Sequence, residues 1–175
     1  ETFAKVILSE RGLERSRYFR VDIADEKQIE DFRDSAVKEN LNVHGIVNNA
    51  AFNPKVEEAF QEKGFESFCV KKWHQEVNIG LTGAILITKI ITPIAMDKGY
   101  IPSIVNISSD LGIIAPDHRL YNDTDEITIK KPVSYSVIKH GIIGLTKYTA
   151  THYGSDVRCN SLVPGGVFNG QHSSF

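Results

Sequence analysis

The feature that most constrains the fold is an ordered alternation. Short β-rich runs, each closed by polar residues or a turn, are separated by longer stretches with helical spacing. Arg17 to Ile23 (RYFRVDI) reads as a strand, and Asp25 to Lys38 follows with Ile29, Phe32 and Ala36 on one helical face among charges. Val43 to Asn48 (VHGIVN) is the next strand, closed by Asn48-Asn49-Ala50-Ala51. Trp73 to about Lys98 reads as a long helix, apolar nearly all round and so buried on more than one side, with Pro93 ending or kinking it. Ser103 to Ser108 (SIVNIS) is a third strand. Ser134 to His152 is a second long helix with Ile138, Ile142, Leu145 and Tyr148 at helical spacing. Val157 to Val163 (VRCNSLV) is a fourth strand, stopped by Pro164-Gly165-Gly166. Strands that alternate with helices of this length need crossover connections, so the expected class is α/β with a parallel sheet.

Length and composition bound the rest. At 175 residues, 41% apolar and 24% charged, the chain suffices for one domain over residues 1–175 and one core. Lys plus Arg number 20 against 22 for Asp plus Glu, and the net charge of -2 leaves no basic footprint for nucleic acid. The longest apolar run, Ile85 to Met96, is broken by Lys89 and Pro93 and falls short of the roughly 20 residues a membrane span needs, so no span is expected. No export signal is read at Glu1-Thr2-Phe3-Ala4-Lys5, and the default compartment is the cytoplasm. Cys69 and Cys159 stand far apart without metal-ligand spacing, so neither a disulfide framework nor a metal site is expected.

The chemistry gathers around Tyr135 and Lys139, four apart near the start of a helix and therefore on one face. A cation beside a phenol favours the phenolate, which suits a proton donor or acceptor for a carbonyl or alcohol. A lone pair of this kind arises readily by chance, and its bland reading is a surface contact. Context strengthens it: Ile104-Val105-Asn106-Ile107 runs into Ser108-Ser109, placing hydroxyls at the carboxyl end of a parallel strand, where open α/β sheets bind ligands. Taken in isolation, the same two serines read as strand-end turn formers. Asn48-Asn49-Ala50 ends another strand on the same rim. Asn78 lies in the long apolar helix, where its bland role is a satisfied buried hydrogen bond. The segment 110–132 fits neither period and is read as an inserted loop, either a solvated excursion or a substrate lid.

Taken together, VDI at 21–23, NNAA at 48–51, VN followed by Gly80 or Gly83, IVNISS at 104–109, YSVIK at 135–139 and RCNSLVPGGV at 158–167 resemble the short-chain dehydrogenases/reductases. The match runs over nearly the whole chain, in the family's order. The resemblance implies a Rossmann-like doubly wound parallel sheet and a nicotinamide cofactor, NAD or NADP, with the choice undecided by the sequence. It implies Tyr135 as the acid/base, Lys139 as its modulator and ribose ligand, Ser109 as the group polarising the substrate oxygen, and Asn78 as support for a water chain to Lys139. Asp22 and Ile23 would hold the adenine, and Asn48, Ala50, Pro164, Gly165 and Val167 would line the cofactor. Ser109, Arg119 and Gly166 are the candidate substrate contacts. A homodimer or homotetramer built through the two long helices is implied as well.

Three departures mark this sequence. The glycine-rich turn that cradles pyrophosphate at a helix N-terminus is absent, and in such a sheet about 40 residues normally precede Asp22, so the first strand-helix segment and the C-terminal end are expected to lie outside this chain. Asn169 stands where the family has Thr. Ser109 and Tyr135 are 26 positions apart, where roughly a dozen is the family habit, and the insert accounts for the excess. The expected function is transfer of hydride between nicotinamide and a carbonyl/alcohol carbon of a small molecule. A further likeness to bacterial oxidoreductases encoded with surface-glycan or flagellin-sugar genes suggests a sugar or nucleotide-sugar. The rival is a catalytically idle nucleotide-binding or scaffold member of the same fold. A serine hydrolase is disfavoured because no GxSxG elbow exists and His140 should point off the Tyr135 face.

Overall fold

A computed structural model describes residues 17–52, 65–118 and 131–166. Helix α1 (Glu26–Lys38) starts where Asp25 accepts hydrogen bonds from the Lys27 and Gln28 amides, and the Gln28 side chain, donating to Asp25 Oδ2, acts with those bonds to hold the Asp25 carboxyl below its usual range. It ends at Glu39, and Asn40 follows in the left-handed region (φ 54°), a conformation asparagine tolerates. Strand β1 (Gly45–Asn48) comes next. Helix α2 (Val70–Val77) runs into a π-turn, Asn78–Thr82, and continues as α3 (Gly83–Met96). Strand β2 (Ser103–Ile107), helix α4 (Val133–Tyr153) and strand β3 (Arg158–Leu162) complete the described elements.

The strands form a parallel sheet in the order β1-β2-β3, with Ile46 opposite Ile104, Asn48 opposite Asn106, and Asn106 opposite Ser161. Paired residues share a face, so this register stacks Ile46, Ile104 and Cys159 on the side that the helices cover. There they pack with Ile29 and Ala36 of α1, Ile90, Ile91 and Ile94 of α3, and Val157. Burying each large aliphatic side chain contributes about 1.5–3 kcal/mol, which makes this cluster the main source of cohesion. Among the described residues the opposite sheet face stays open, with Val47 and Leu162 more than half exposed.

A polar ladder crosses the same buried layer. Asn48 Nδ2 donates to Asn106 Oδ1 (2.7 Å) and Thr88 Oγ1 (3.3 Å). Asn106 Nδ2 donates to Thr146 Oγ1 (2.8 Å), which also contacts Ser161 Oγ (2.7 Å). These bonds tie all three strands to α3 and α4, and every partner is needed because an unpaired amide here would be costly.

Several expectations are corrected. Residues 17–23 form no strand, since a strand exists only through a ladder and none of β1–β3 pairs with them among the described residues. The segment instead packs Val21 and Ile23 on the core, and Phe19 sets its edge against Phe32 at 5.0 Å. Pro93 does not end α3, which continues to Met96. Tyr148 is exposed and stacks on His152 instead of joining the core. The continuous helix Val70–Met96 is, by length and composition, apolar enough to cross a membrane, contrary to the shorter span read from Ile85; half of its apolar window is buried, as in a core helix.

Candidate active site

A cleft of about 700 Å³ opens at the carboxyl ends of β1 and β2. Asn49 to Phe52 line it after β1, Ile107 at the end of β2, Glu76 and Gly80 from α2 and the π-turn, and Lys131, Pro132, Ser134, Tyr135, Ile138 and Lys139 from the start of α4. The four-residue spacing of Tyr135 and Lys139 brings both into this one space, as their common helical face requires.

Lys139 is fixed from two directions. Its Nζ donates to the Ile107 carbonyl (2.9 Å), and its own carbonyl accepts from Ser108 Oγ (2.7 Å). The ammonium lies 5.7 Å from the centre of the Tyr135 ring, and that of Lys131 lies over the same ring at 4.3 Å. Burial holds both ammonium groups below their usual range. For Lys139 the charge of Lys131 pushes further down, whereas Asp110 partly restores Lys131.

Ser109 is buried, but it does not line the cleft. Its hydroxyl donates to Asp110 Oδ1 (2.7 Å) and accepts from the Leu111 amide as the cap of a short 3₁₀ turn, Asp110–Gly112. That turn lies against α4 so closely that a Cβ on Gly112 would stand 2.6 Å from Ser108 Oγ and 2.7 Å from the Lys139 carbonyl oxygen. Pro164 meets it from the other side, its carbonyl accepting from the Asp110 amide (3.0 Å), and Gly165 faces Asp110 Oδ2. Gly166 is exposed and lies off the cleft.

Other expected residues fall elsewhere. Asn78 is exposed and does not line the cleft; Gly80, two residues on, does, and a Cβ there would come within 3.0 Å of Ile138. The cause is the π-turn, whose Gly83 amide bonds the Asn78 carbonyl five residues back, so the side chains after Val77 leave ordinary α phase. Asn48 spends its amide on the polar ladder, and the cleft begins one residue later. Ala50 lines it as expected. Asp22 Oδ1 accepts from the Ala24 amide, while Ile23 packs against Gly83, and neither belongs to the cleft. His140 is exposed with Nδ1 on the Ser136 carbonyl. Arg119 and Val167 lie outside the described residues, as does the middle of the insert. The insert's two ends meet where the Lys131 amide donates to His118 Nδ1 (3.4 Å). Glu76, Ser134 and Lys131 were missed. Glu76 and Gly80 do stand four apart, a helical-face signal that a polar residue in an apolar run obscures.

A parallel sheet with a Tyr-Lys pair at its carboxyl rim defines the class: the chain belongs to the short-chain dehydrogenases/reductases. The family described as enoyl-(acyl carrier protein) reductase has a model that matches residues 4–174. The chain is 28% identical over 159 residues to post-translational flagellin modification protein A of Campylobacter coli, covering 89% of this chain and 59% of that protein. It is 30% identical over 155 residues to 2,5-dichloro-2,5-cyclohexadiene-1,4-diol dehydrogenase of Sphingobium indicum, covering 87% and 54%. The crystal structure of a short chain dehydrogenase from Leptospira borgpetersenii with bound NAD+ superposes with a TM-score of 0.75 at 27% identity, covering 93% of this chain and 58% of that one. The chain therefore spans little more than half the length of the relatives it matches.

Proposed function

We propose that this chain is the catalytic part of an NAD- or NADP-dependent oxidoreductase that interconverts an alcohol and a carbonyl on a small polar molecule. The observation that carries the reading is the placement of Tyr135 and Lys139 in one cleft, with Lys139 held on the Ile107 carbonyl at the end of β2. The likeness to a diol dehydrogenase, and to a structure with bound NAD+, supports it.

The residues present fit the nicotinamide-ribose end of such a cofactor. An ammonium has three protons, and Lys139 uses one of them on Ile107, leaving two for ribose hydroxyls in a half-buried position. Small side chains at Ala50 and Ala51 leave room beneath. A bound nicotinamide supplies the hydride acceptor or donor. Tyr135 takes the alcohol proton in the oxidative direction and returns it in the reductive one. The Lys139 cation, 5.7 Å from the centre of the Tyr135 ring, favours negative charge on the phenol. The role of holding the substrate oxygen comes to Ser109 from the family resemblance alone, since its hydroxyl is engaged on Asp110 and does not line the cleft. Asn78 is left out of the machinery because it is exposed away from the cleft.

The flagellin-modification relative and the Glu76, Lys131, Ser134 and Lys139 side chains in the cleft favour a sugar or nucleotide-sugar substrate. Exposed Val70, Ile85 and Val137 on the two long helices favour pairing of copies through them.

Tyr135→Phe removes the transferable proton and keeps the ring. Turnover by the full-length protein is expected to fall by roughly 10²–10⁴, with nucleotide affinity little changed. Near-normal turnover would overturn the assignment. Nucleotide binding without turnover of any alcohol or carbonyl would instead favour an idle binding module.

A further inference from the structure

The mechanism above leaves two buried polar side chains of the cleft unused. Glu76 is 7% exposed and Ser134 is 5% exposed, and both line the space that holds Tyr135 and Lys139. Neither has a hydrogen bond or ion pair among the described residues. Their side-chain oxygens are not sealed from solvent, so they are open to hydrogen-bond a molecule that enters beside them. The side from which such a molecule comes is set by the surroundings. Behind Glu76 and Ser134 lies a hollow of only about 10 Å³, walled by Phe68, Cys69, Trp73 and Val133, which offers little room and few polar atoms. The open side is the cleft.

We propose that Glu76 and Ser134 form a subsite for a second hydroxyl group of the substrate, next to the carbon that reacts. This deepens the oxidoreductase reading and rests on it. A hydroxyl matches the pair because it donates one hydrogen bond, to the Glu76 carboxylate, and accepts another, from the Ser134 hydroxyl. A cationic donor such as an ammonium matches less well. Lys131 and Lys139 already line the same cleft, and a third positive charge there would meet two like charges. Ser134 immediately precedes Tyr135, so a hydroxyl held on it lies within the same substrate as the oxygen that Tyr135 serves. The substrate class is a vicinal or near-vicinal diol, or the hydroxy-carbonyl compound derived from it. A site built to hydrogen-bond a hydroxyl rejects the analogue lacking it, because the buried acceptor is then left unpaired.

The test uses the full-length protein with NAD+ and with NADP+, comparing cis-cyclohexane-1,2-diol with cyclohexanol. The wild type is expected to favour the diol by about tenfold or more in kcat/KM, and Glu76→Leu to bring that ratio close to one. Glu76→Gln, which keeps the volume, guards against a folding defect and is expected to give an intermediate ratio; Ser134→Ala is expected to lower it too. A ratio unchanged in Glu76→Leu or Glu76→Gln overturns the subsite, and so does a wild type that shows no preference. If the wild type oxidises neither compound, the oxidoreductase reading fails separately. Calorimetric titration with the diol then decides the subsite: heat of binding in the wild type that is lost in Glu76→Gln sustains it, and no binding in the wild type overturns it.

Discussion

Gly112→Ala should disturb Lys139 without touching it chemically. Gly112 does not need glycine for its backbone, because its φ is not positive; it needs glycine for space. The added Cβ would stand 2.7 Å from the Lys139 carbonyl oxygen and 2.9 Å from its carbon, where ordinary contact begins near 3.4 Å. The 3₁₀ turn and α4 must therefore separate by about 0.7 Å, and both are main chain at the point of contact. Overpacking of this kind costs about 1–3 kcal/mol, or about 2–12 °C in Tm for a chain of this size. The same shift moves Lys139 on the rim of the cleft, and a misplacement approaching 1 Å can cost about 10²-fold in turnover. Thermal unfolding and steady-state kinetics on the full-length protein read the two effects. Adding Ser108→Ala removes the 2.6 Å clash with Ser108 Oγ but leaves the one with Lys139, so the double variant should recover only in part. A Gly112→Ala protein with wild-type Tm and turnover would refute the claim that this turn and α4 are packed to contact.

Thr92 is fully buried and its hydroxyl has no hydrogen-bond partner among the described residues. Thr92→Val, nearly isosteric, should raise stability by about 1 kcal/mol in urea unfolding, and a loss of stability would show that the hydroxyl is bonded. Lys131→Met removes the like charge that helps hold Lys139 below its usual range, so the Lys139 titration should move to higher pH, read by NMR of labelled lysine; movement to lower pH contradicts the geometry. Both lysines carry folded-state values below the unfolded 10.5, so their charge opposes folding at neutral pH and that opposition fades as pH rises towards 10.5. Light scattering at micromolar concentration should give a dimer or larger species for the full-length protein, and a monomer would count against pairing through the long helices.

Periodicity made the order of elements legible, because β1, β2, β3, α1 and α4 each carry their own pattern of burial. It misjudged residues 17–23, since β propensity says nothing about whether a neighbouring strand is there to pair with. In the site, Tyr135 and Lys139 were legible because a spacing of four survives in any regular helix. Asn78 was not, because the π-turn that sets its direction depends on how Gly80 and Leu81 meet Ile138 and Gly141 of α4, a tertiary contact with no local signature. Asn48 and Asn49 show the same limit at a strand end. One residue decides whether an amide is woven into the sheet or faces the cleft, and strand boundaries cannot be read that finely.

The π-turn at Asn78–Thr82 also acts as a joint between two phases of one rod. A regular helix turns about 100° per residue, so a single residue's worth of widening lets the segment before it face a different direction from the segment after it. Upstream, Glu76 looks into the cleft; downstream, Ile90, Ile91 and Ile94 look into the core. Lengthening or shortening this joint by one residue would turn the upstream side chains like a dial, carrying Glu76 off the cleft and Val77 off the Ala84, Ile138 and Ile142 cluster together. One joint thereby sets both the lining of the cleft and the seating of the helix on α4.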